Sequence, residues 1–225
     1  MISHQHQCIF IHIPKCAGTS IEDAFGHFDG HNGRGGQDHR SIRMIQAPAV
    51  CPRTFLSVEN IKDYIRRLRH KHRVPANPKN ALGLNALQYQ RYYKFTVVRN
   101  PWFRAHSWYK NAMRDKIHQR NYGISPDLEF NQFIHQFIGK GFLRPQTYWL
   151  KDYDGNIPMD YIARFENLQE DFEQICDQLH VTDINLPHKI AGEKGDPRLE
   201  FDDQSIELIG RYYREEIALF DYRFE

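Results

Sequence analysis

Cys8-Ile9-Phe10-Ile11-His12-Ile13 is an almost unbroken apolar run that stops at Pro14. A run this short, rich in Ile and aromatic residues, predicts a strand covered on both faces. Past Gly18-Thr19-Ser20 the period changes, because Ile21, Ala24 and Phe25 recur at spacings of three and four, which predicts a helix. The order repeats further on. Lys94-Phe95-Thr96-Val97-Val98-Arg99 reads as a second buried strand, and Pro101 follows where a helix can begin, since proline is accommodated at the first helical position. Tyr161 to Phe165 reads as a third short strand.

Further helical stripes are Val58, Ile61, Tyr64, Ile65 and Leu68 after the cap residue Ser57; Phe130, Phe133, Ile134, Phe137 and Ile138; Leu168, Phe172, Ile175 and Leu179 after Asn167; and Ile206, Ile209, Tyr213 and Ile217. On the first of these, Lys62, Arg66, Arg67, Arg69 and Lys71 fill the remaining face, which reads as the solvated outer side of a surface helix. Gly26 to Gly36 holds five glycines among polar residues and reads as a loop. Strands alternating with helices predict an α/β fold, a three-layer sandwich with a central parallel sheet and ligands at the carboxyl ends of its strands.

Composition narrows this picture. The chain has 225 residues, 40% of them apolar and 26% charged, so it can build a packed core and lacks the profile of a disordered chain. No internal repeat or linker divides it, and the expectation is one domain over residues 1–225. A formal charge of +2 does not mark a nucleic-acid binder. The apolar runs fall far short of the roughly 20 residues of a bilayer span, and no signal-peptide pattern opens the chain. Cys8, Cys16, Cys51 and Cys176 are scattered, without the close spacing of a metal site. A cytoplasmic location follows most simply, with a lumenal catalytic domain as the alternative.

Candidate chemistry sits where strands give way to helices. Pro14-Lys15-Cys16-Ala17-Gly18-Thr19-Ser20 offers backbone N–H groups, two hydroxyls and one ammonium in a small space, the requirements of an anion site. The order differs from the nucleotide P-loop, since Lys15 precedes Gly18 and no second glycine stands upstream. At the second junction, Arg99 ends the strand and Ser107 lies eight residues on, so that a guanidinium fork and a hydroxyl can share one phosphate.

Residues 13–20 resemble the 5′-phosphosulfate-binding loop of sulfotransferases, particularly the carbohydrate branch that includes the heparan sulfate 2-O-sulfotransferases, with Cys16 in place of the usual threonine. Residues 95–109 are similar to the same families' 3′-phosphate-binding element, and Arg164-Phe165-Glu166-Asn167-Leu168 and Phe220-Asp221-Tyr222 to their later landmarks. The resemblance implies a P-loop-like nucleotide fold and 3′-phosphoadenosine 5′-phosphosulfate (PAPS) as donor. It places Lys15, Ala17, Gly18, Thr19 and Ser20 around the 5′-phosphosulfate and Arg99 and Ser107 on the 3′-phosphate. By the same resemblance Lys194, in the loop before Pro197, is expected to close over that phosphate. The expected acceptor is a hydroxyl of a glycan or glycoconjugate, and no metal is expected. Lys15 is also placed to meet charge developing on the leaving oxygen. The general base falls in Asp38-His39-Arg40-Ser41-Ile42-Arg43, on His39, with Asp38 or a neighbouring acid orienting its ring and His31 and His188 in reserve. Leu186-Pro187-His188-Lys189-Ile190 lacks the asparagine usual in the family's L-P-H-x-N. His12, inside the first strand, reads as a core residue, and His106 as a variable position; a thiol role for Cys16 is disfavoured.

Two other classes remain. A kinase with an altered P-loop requires ATP and magnesium, and the chain offers no obvious aspartate pair for the metal. A non-catalytic polyanion-binding module would use the basic helix of residues 58–73 and show steep salt dependence.

Overall fold

The computed structural model describes residues 1–186 and 196–225. It is a mixed α/β structure, and the described residues form two compact units. The first comprises residues 1–98 and 147–186, and the second residues 99–146 and 196–225.

The first unit holds the whole sheet. Its strands are β1 (Ile2–Ser3), β2 (Cys8–Ile11), β3 (Tyr93–Val98) and β4 (Tyr161–Arg164), in the order β1-β2-β3-β4. The register pairs Ile11 with Thr96 and Val98 with Arg164, and β2, β3 and β4 run parallel. β1 pairs antiparallel with β2, Ile2 facing Ile9, so the sheet is mostly rather than wholly parallel. Two residues carry no periodicity, and β1 could not have been read from the pattern alone. The helices are α1 (Gly18–Ala24), α2 (Ile42–Ile45), α3 (Val58–Lys71), α4 (Ala86–Arg91), α8 (Thr147–Leu150) and α9 (Leu168–Gln178).

β2 is buried at every position and β3 at all but Tyr93, as their continuous apolar character predicts. Phe10 and Phe95 meet at 5.1 Å between ring centres, and Phe25, the C-cap of α1, packs against both Phe95 and Phe172 of α9. Inside the sheet the Thr96 hydroxyl donates to the Ile11 carbonyl at 2.8 Å, so this buried polar group of central β3 is satisfied.

α3 reverses the expectation drawn from its pattern. Ser57 caps it as predicted, its hydroxyl accepting from the Asn60 amide at 3.1 Å. The side turned to the protein, however, is the polar one: Asn60 donates to the carbonyls of Arg53 and Tyr153, and Arg67 to that of Arg43. Asp63 is fully buried and accepts from Arg43, Arg66, Ser41 and Tyr148 at 2.6 to 3.2 Å. Val58, Ile61, Ile65 and Leu68 are exposed. Periodicity defines an apolar face but not the direction in which it points.

The second unit is helical among its described residues: α5 (Pro101–Arg114), α6 (Lys116–Tyr122), α7 (Phe130–Phe137), α10 (Asp203–Tyr212) and α11 (Arg214–Phe220). Pro101 stands at the first turn of α5 and the Asn100 side chain accepts from the Trp102 amide at 3.1 Å. The stripe from Ile206 to Ile217 is divided between α10 and α11, which part at Tyr213. Arg104 is almost fully buried and donates to the carbonyls of Phe142 and Arg144 at 2.8 and 2.6 Å.

The Phe10–Phe95 contact sits where β2 and β3 pair. Phe10→Ala should lower stability by about 3–5 kcal/mol, the cost of a buried aromatic cavity, read from the midpoint of urea unfolding.

Candidate functional site

The loop after β2 has an unusual backbone. Lys15 and Ala17 both take positive φ, 71° and 59°, a conformation that costs a non-glycine residue about 1–2 kcal/mol. Ala17 is the N-cap of α1, and the amides of Ser20 and Ile21 return to its carbonyl at 2.9 and 3.3 Å. The N–H groups of Gly18 and Thr19 belong to the first turn, where no intrahelical acceptor exists. Left-handed residues ahead of a helix start turn successive N–H groups into one concavity, a form suited to phosphate or sulfate oxygens. Thr19 is exposed, Lys15 and Ala17 half-buried, and Ser20 buried. Cys16 is buried with its thiol directed to the Pro14 carbonyl at 3.7 Å, the environment of a packed side chain.

Gly18 is required by its neighbour. A Cβ there would lie 2.0 Å from Cδ2 of His12, so the imidazole occupies the space that any side chain would need. The buried His12 ring has Nδ1 3.1 Å from Oε2 of Glu22, and the other Glu22 oxygen accepts from the Asp38 amide at 3.0 Å. Glu22, on α1, thus ties the end of β2 to the segment that carries His39. The His39 ring lies 4.2 Å from that of His12, and its Nδ1 is 3.3 Å from the His12 carbonyl. A carbonyl only accepts, so Nδ1 bears the proton in this contact and Nε2 is left with a lone pair. Asp38 is spanned by Arg40, with contacts of 2.6 to 3.1 Å. The His12 carbonyl is a group that orients the His39 ring, and no motif marks it.

The electrostatics follow from burial. Loss of water around the His39 ring, with repulsion from the neighbouring His12, lowers its pKa to about 3 against the opposing pull of Glu22 and Asp38. Burial alone would raise Asp38, but Arg40 holds it well below the usual carboxylate range. Glu22 is likewise held low, its interactions with His12 outweighing its burial.

In the second unit, Arg99 directly follows β3 and Ser107 is half-buried on α5. The backbone of Arg99 is gripped by one side chain: its N–H donates to Gln146 Oε1 and its carbonyl accepts from Gln146 Nε2, each at 2.8 Å. Gln146 is in turn held by the buried carboxylate of Glu216, which accepts from its backbone and side-chain N–H groups. Neither Gln146 nor Glu216 carried a motif signal, and only the tertiary structure identifies them. Glu200 accepts from Lys110 at 2.8 Å and lies 3.2 Å from His106, which accounts for His106 as part of a local ion cluster.

The structure therefore places Lys15 and Ala17 in the loop after β2 and Gly18, Thr19 and Ser20 in the first turn of α1, with His39 beside them through His12; Arg99 lies between β3 and the N-cap of α5, and Ser107 within α5. His31 folds back on its own loop, where a Cβ at Gly33 or Gly36 would meet its ring at 2.9 or 2.6 Å. Lys194 and His188 lie outside the described residues. An open cleft lined by His6, Gln7, Phe25, Arg91, Tyr93 and His180 is at the amino ends of the strands and includes none of these side chains.

The sequence profile of the sulfotransferase family matches residues 1–223, and the chain belongs to that family. It is a transferase that moves a sulfuryl group to a hydroxyl acceptor. No curated protein and no solved structure matches the chain. No described helix is long and apolar enough to cross a membrane.

The low pKa of His39 has a measurable consequence. Below its ordinary value of 6.5 the unfolded chain binds a proton that the folded ring refuses until about pH 3. The stabilisation is complete above pH 6.5 and is lost as the pH falls through that window, at up to about 1.4 kcal/mol per pH unit. Urea unfolding from pH 7 to 4 should show the His39→Gln variant losing stability less steeply than the parent.

Proposed function

We propose that the chain uses PAPS as donor and sulfates a hydroxyl of a carbohydrate acceptor, a glycan or glycoconjugate. The observation that carries this reading is the loop of residues 14–20, with left-handed φ at Lys15 and Ala17 ahead of α1 and an exposed Thr19. Its donor set suits a phosphosulfate: an ammonium, backbone N–H groups and a hydroxyl, with no acid among residues 14–20. The carbohydrate acceptor rests on the likeness of residues 13–20 to the carbohydrate branch. We read residues 1–225 as one sulfotransferase domain of the P-loop-like, three-layer kind, and four free thiols suit a reducing compartment such as the cytoplasm.

When bound, the donor supplies an activated sulfuryl group on a phosphate leaving oxygen. Ala17, Gly18, Thr19 and Ser20 hold the 5′ side of the nucleotide, and Lys15 offsets the negative charge that develops there. Arg99 and Ser107 hold the 3′-phosphate, and the Gln146 clamp fixes the backbone from which Arg99 projects. Lys194 contributes a further cation to that phosphate. His39 is neutral at pH 7 and takes the acceptor proton at Nε2. Glu22 and Asp38 pull toward the imidazolium that results, against the burial and His12 repulsion that keep the resting ring neutral, and the His12 carbonyl helps to aim the ring. No metal has a part in these steps.

Calorimetry with 3′-phosphoadenosine 5′-phosphate, AMP and ATP tests the reading. The 3′-phosphorylated nucleotide should bind without metal and at least ~10-fold more tightly than AMP, and Arg99→Ala should remove the preference, as expected for a charge-assisted contact. Equal binding of AMP, or binding of ATP only with magnesium, overturns it in favour of a kinase. With an acceptor in hand, His39→Ala should lower kcat by ~10²- to 10⁴-fold with little change in nucleotide affinity.

A further inference from the structure

α3 presents its hydrophobic residues to water. Val58, Ile61, Ile65 and Leu68 are 63%, 36%, 41% and 42% exposed, and their spacing of three and four places them on one stripe. Just before the helix, Phe55 and Leu56 are 58% and 77% exposed, and the Phe55 ring lies edge-on to Tyr64 of α3 at 5.9 Å. The stripe is continuous over a helix of 14 residues, about 20 Å long at 1.5 Å per residue. A contiguous apolar surface of this kind on a folded protein marks an interaction site.

Its flanks select the partner. Lys62, Arg69 and Lys71 are exposed along the helix, while Glu59 is its exposed acid and Asp63 is buried among its own partners. Two copies joined through this stripe would bring the same cationic flanks together, which disfavours self-association. An anionic bilayer answers both features at once: the apolar stripe enters the boundary between headgroups and acyl chains, and the lysines and arginine meet lipid phosphates and carboxylates. The helix needs no rearrangement to do so, because its polar side is already fixed to the protein through Asn60, Asp63 and Arg67.

We propose that the outer face of α3, with Phe55 and Leu56, is a docking surface for membranes containing anionic lipid. The inference goes beyond the sulfotransferase reading and depends on neither donor nor acceptor. It is tested by co-sedimentation of the full chain with vesicles of phosphatidylcholine alone and of phosphatidylcholine mixed with phosphatidylserine, at low and high salt. The protein should bind the mixed vesicles at least ~10-fold more strongly than the neutral ones and lose much of that binding in high salt. Ile61→Ser combined with Ile65→Ser should weaken binding on the order of 10-fold or more, with the thermal midpoint unchanged because both positions face solvent. A folded parent that ignores the mixed vesicles, binds both kinds equally, or binds as well after the double substitution overturns the proposal. So does a dimer in sedimentation equilibrium that the double substitution dissolves, since the stripe would then belong to a second copy.

Discussion

The parallel pairing of β2 with β3 is the constraint on which the rest depends. It joins segments 85 residues apart through the ladder and through the Thr96 hydroxyl on the Ile11 carbonyl. Because neither strand has a solvated face, a slip of register would move Phe10 and Phe95 out of contact and leave buried ladder groups unpaired. Parallel direction puts the carboxyl ends of both strands at one edge of the sheet. There, after β2, the chain enters the loop of residues 14–20.

The site follows from that edge by a sequence of small exclusions. His12 ends the buried run of β2 and fills the space beside residue 18, so that position admits only hydrogen. Glu22 meets the His12 ring and binds the amide of Asp38, which brings His39 beside the loop instead of leaving it on a glycine-rich excursion. The loop of residues 14–20, the His12 ring and the Glu22 carboxylate are therefore one packing unit, and substitution at His12, Gly18 or Glu22 disturbs the others.

The strands and the loop were legible because their signals are local: a short apolar run, a proline, then glycine and hydroxyls ahead of a helical period. His39 is singled out by resemblance alone, since thirteen histidines give position no meaning by themselves. The parts that escaped are those whose partners are remote in sequence. Gln146 grips Arg99 from 47 residues away and Glu216 reaches Gln146 across 70, and neither pair leaves a trace in periodicity. β1 was missed for the opposite reason: two residues are too few to show a period.

α3 shows the limit of amphipathic patterning most clearly. Its stripe is as regular as that of any core-facing helix, yet the core side is taken by Asp63 with Arg43, Arg66, Ser41 and Tyr148. A buried charge network of this kind contributes little net stability, because desolvation offsets most of its attraction. Turning the stripe inward would gain about 1.5–3 kcal/mol for each fully buried Ile or Leu. A chain that forgoes part of this gain at four positions, three of them already more than half covered, and holds the helix in place by ion pairs and amide contacts instead, retains an apolar surface that folding stability alone does not explain. The physical account is then an external partner that supplies the missing burial, and the cationic flanks of the stripe give that partner a negative charge.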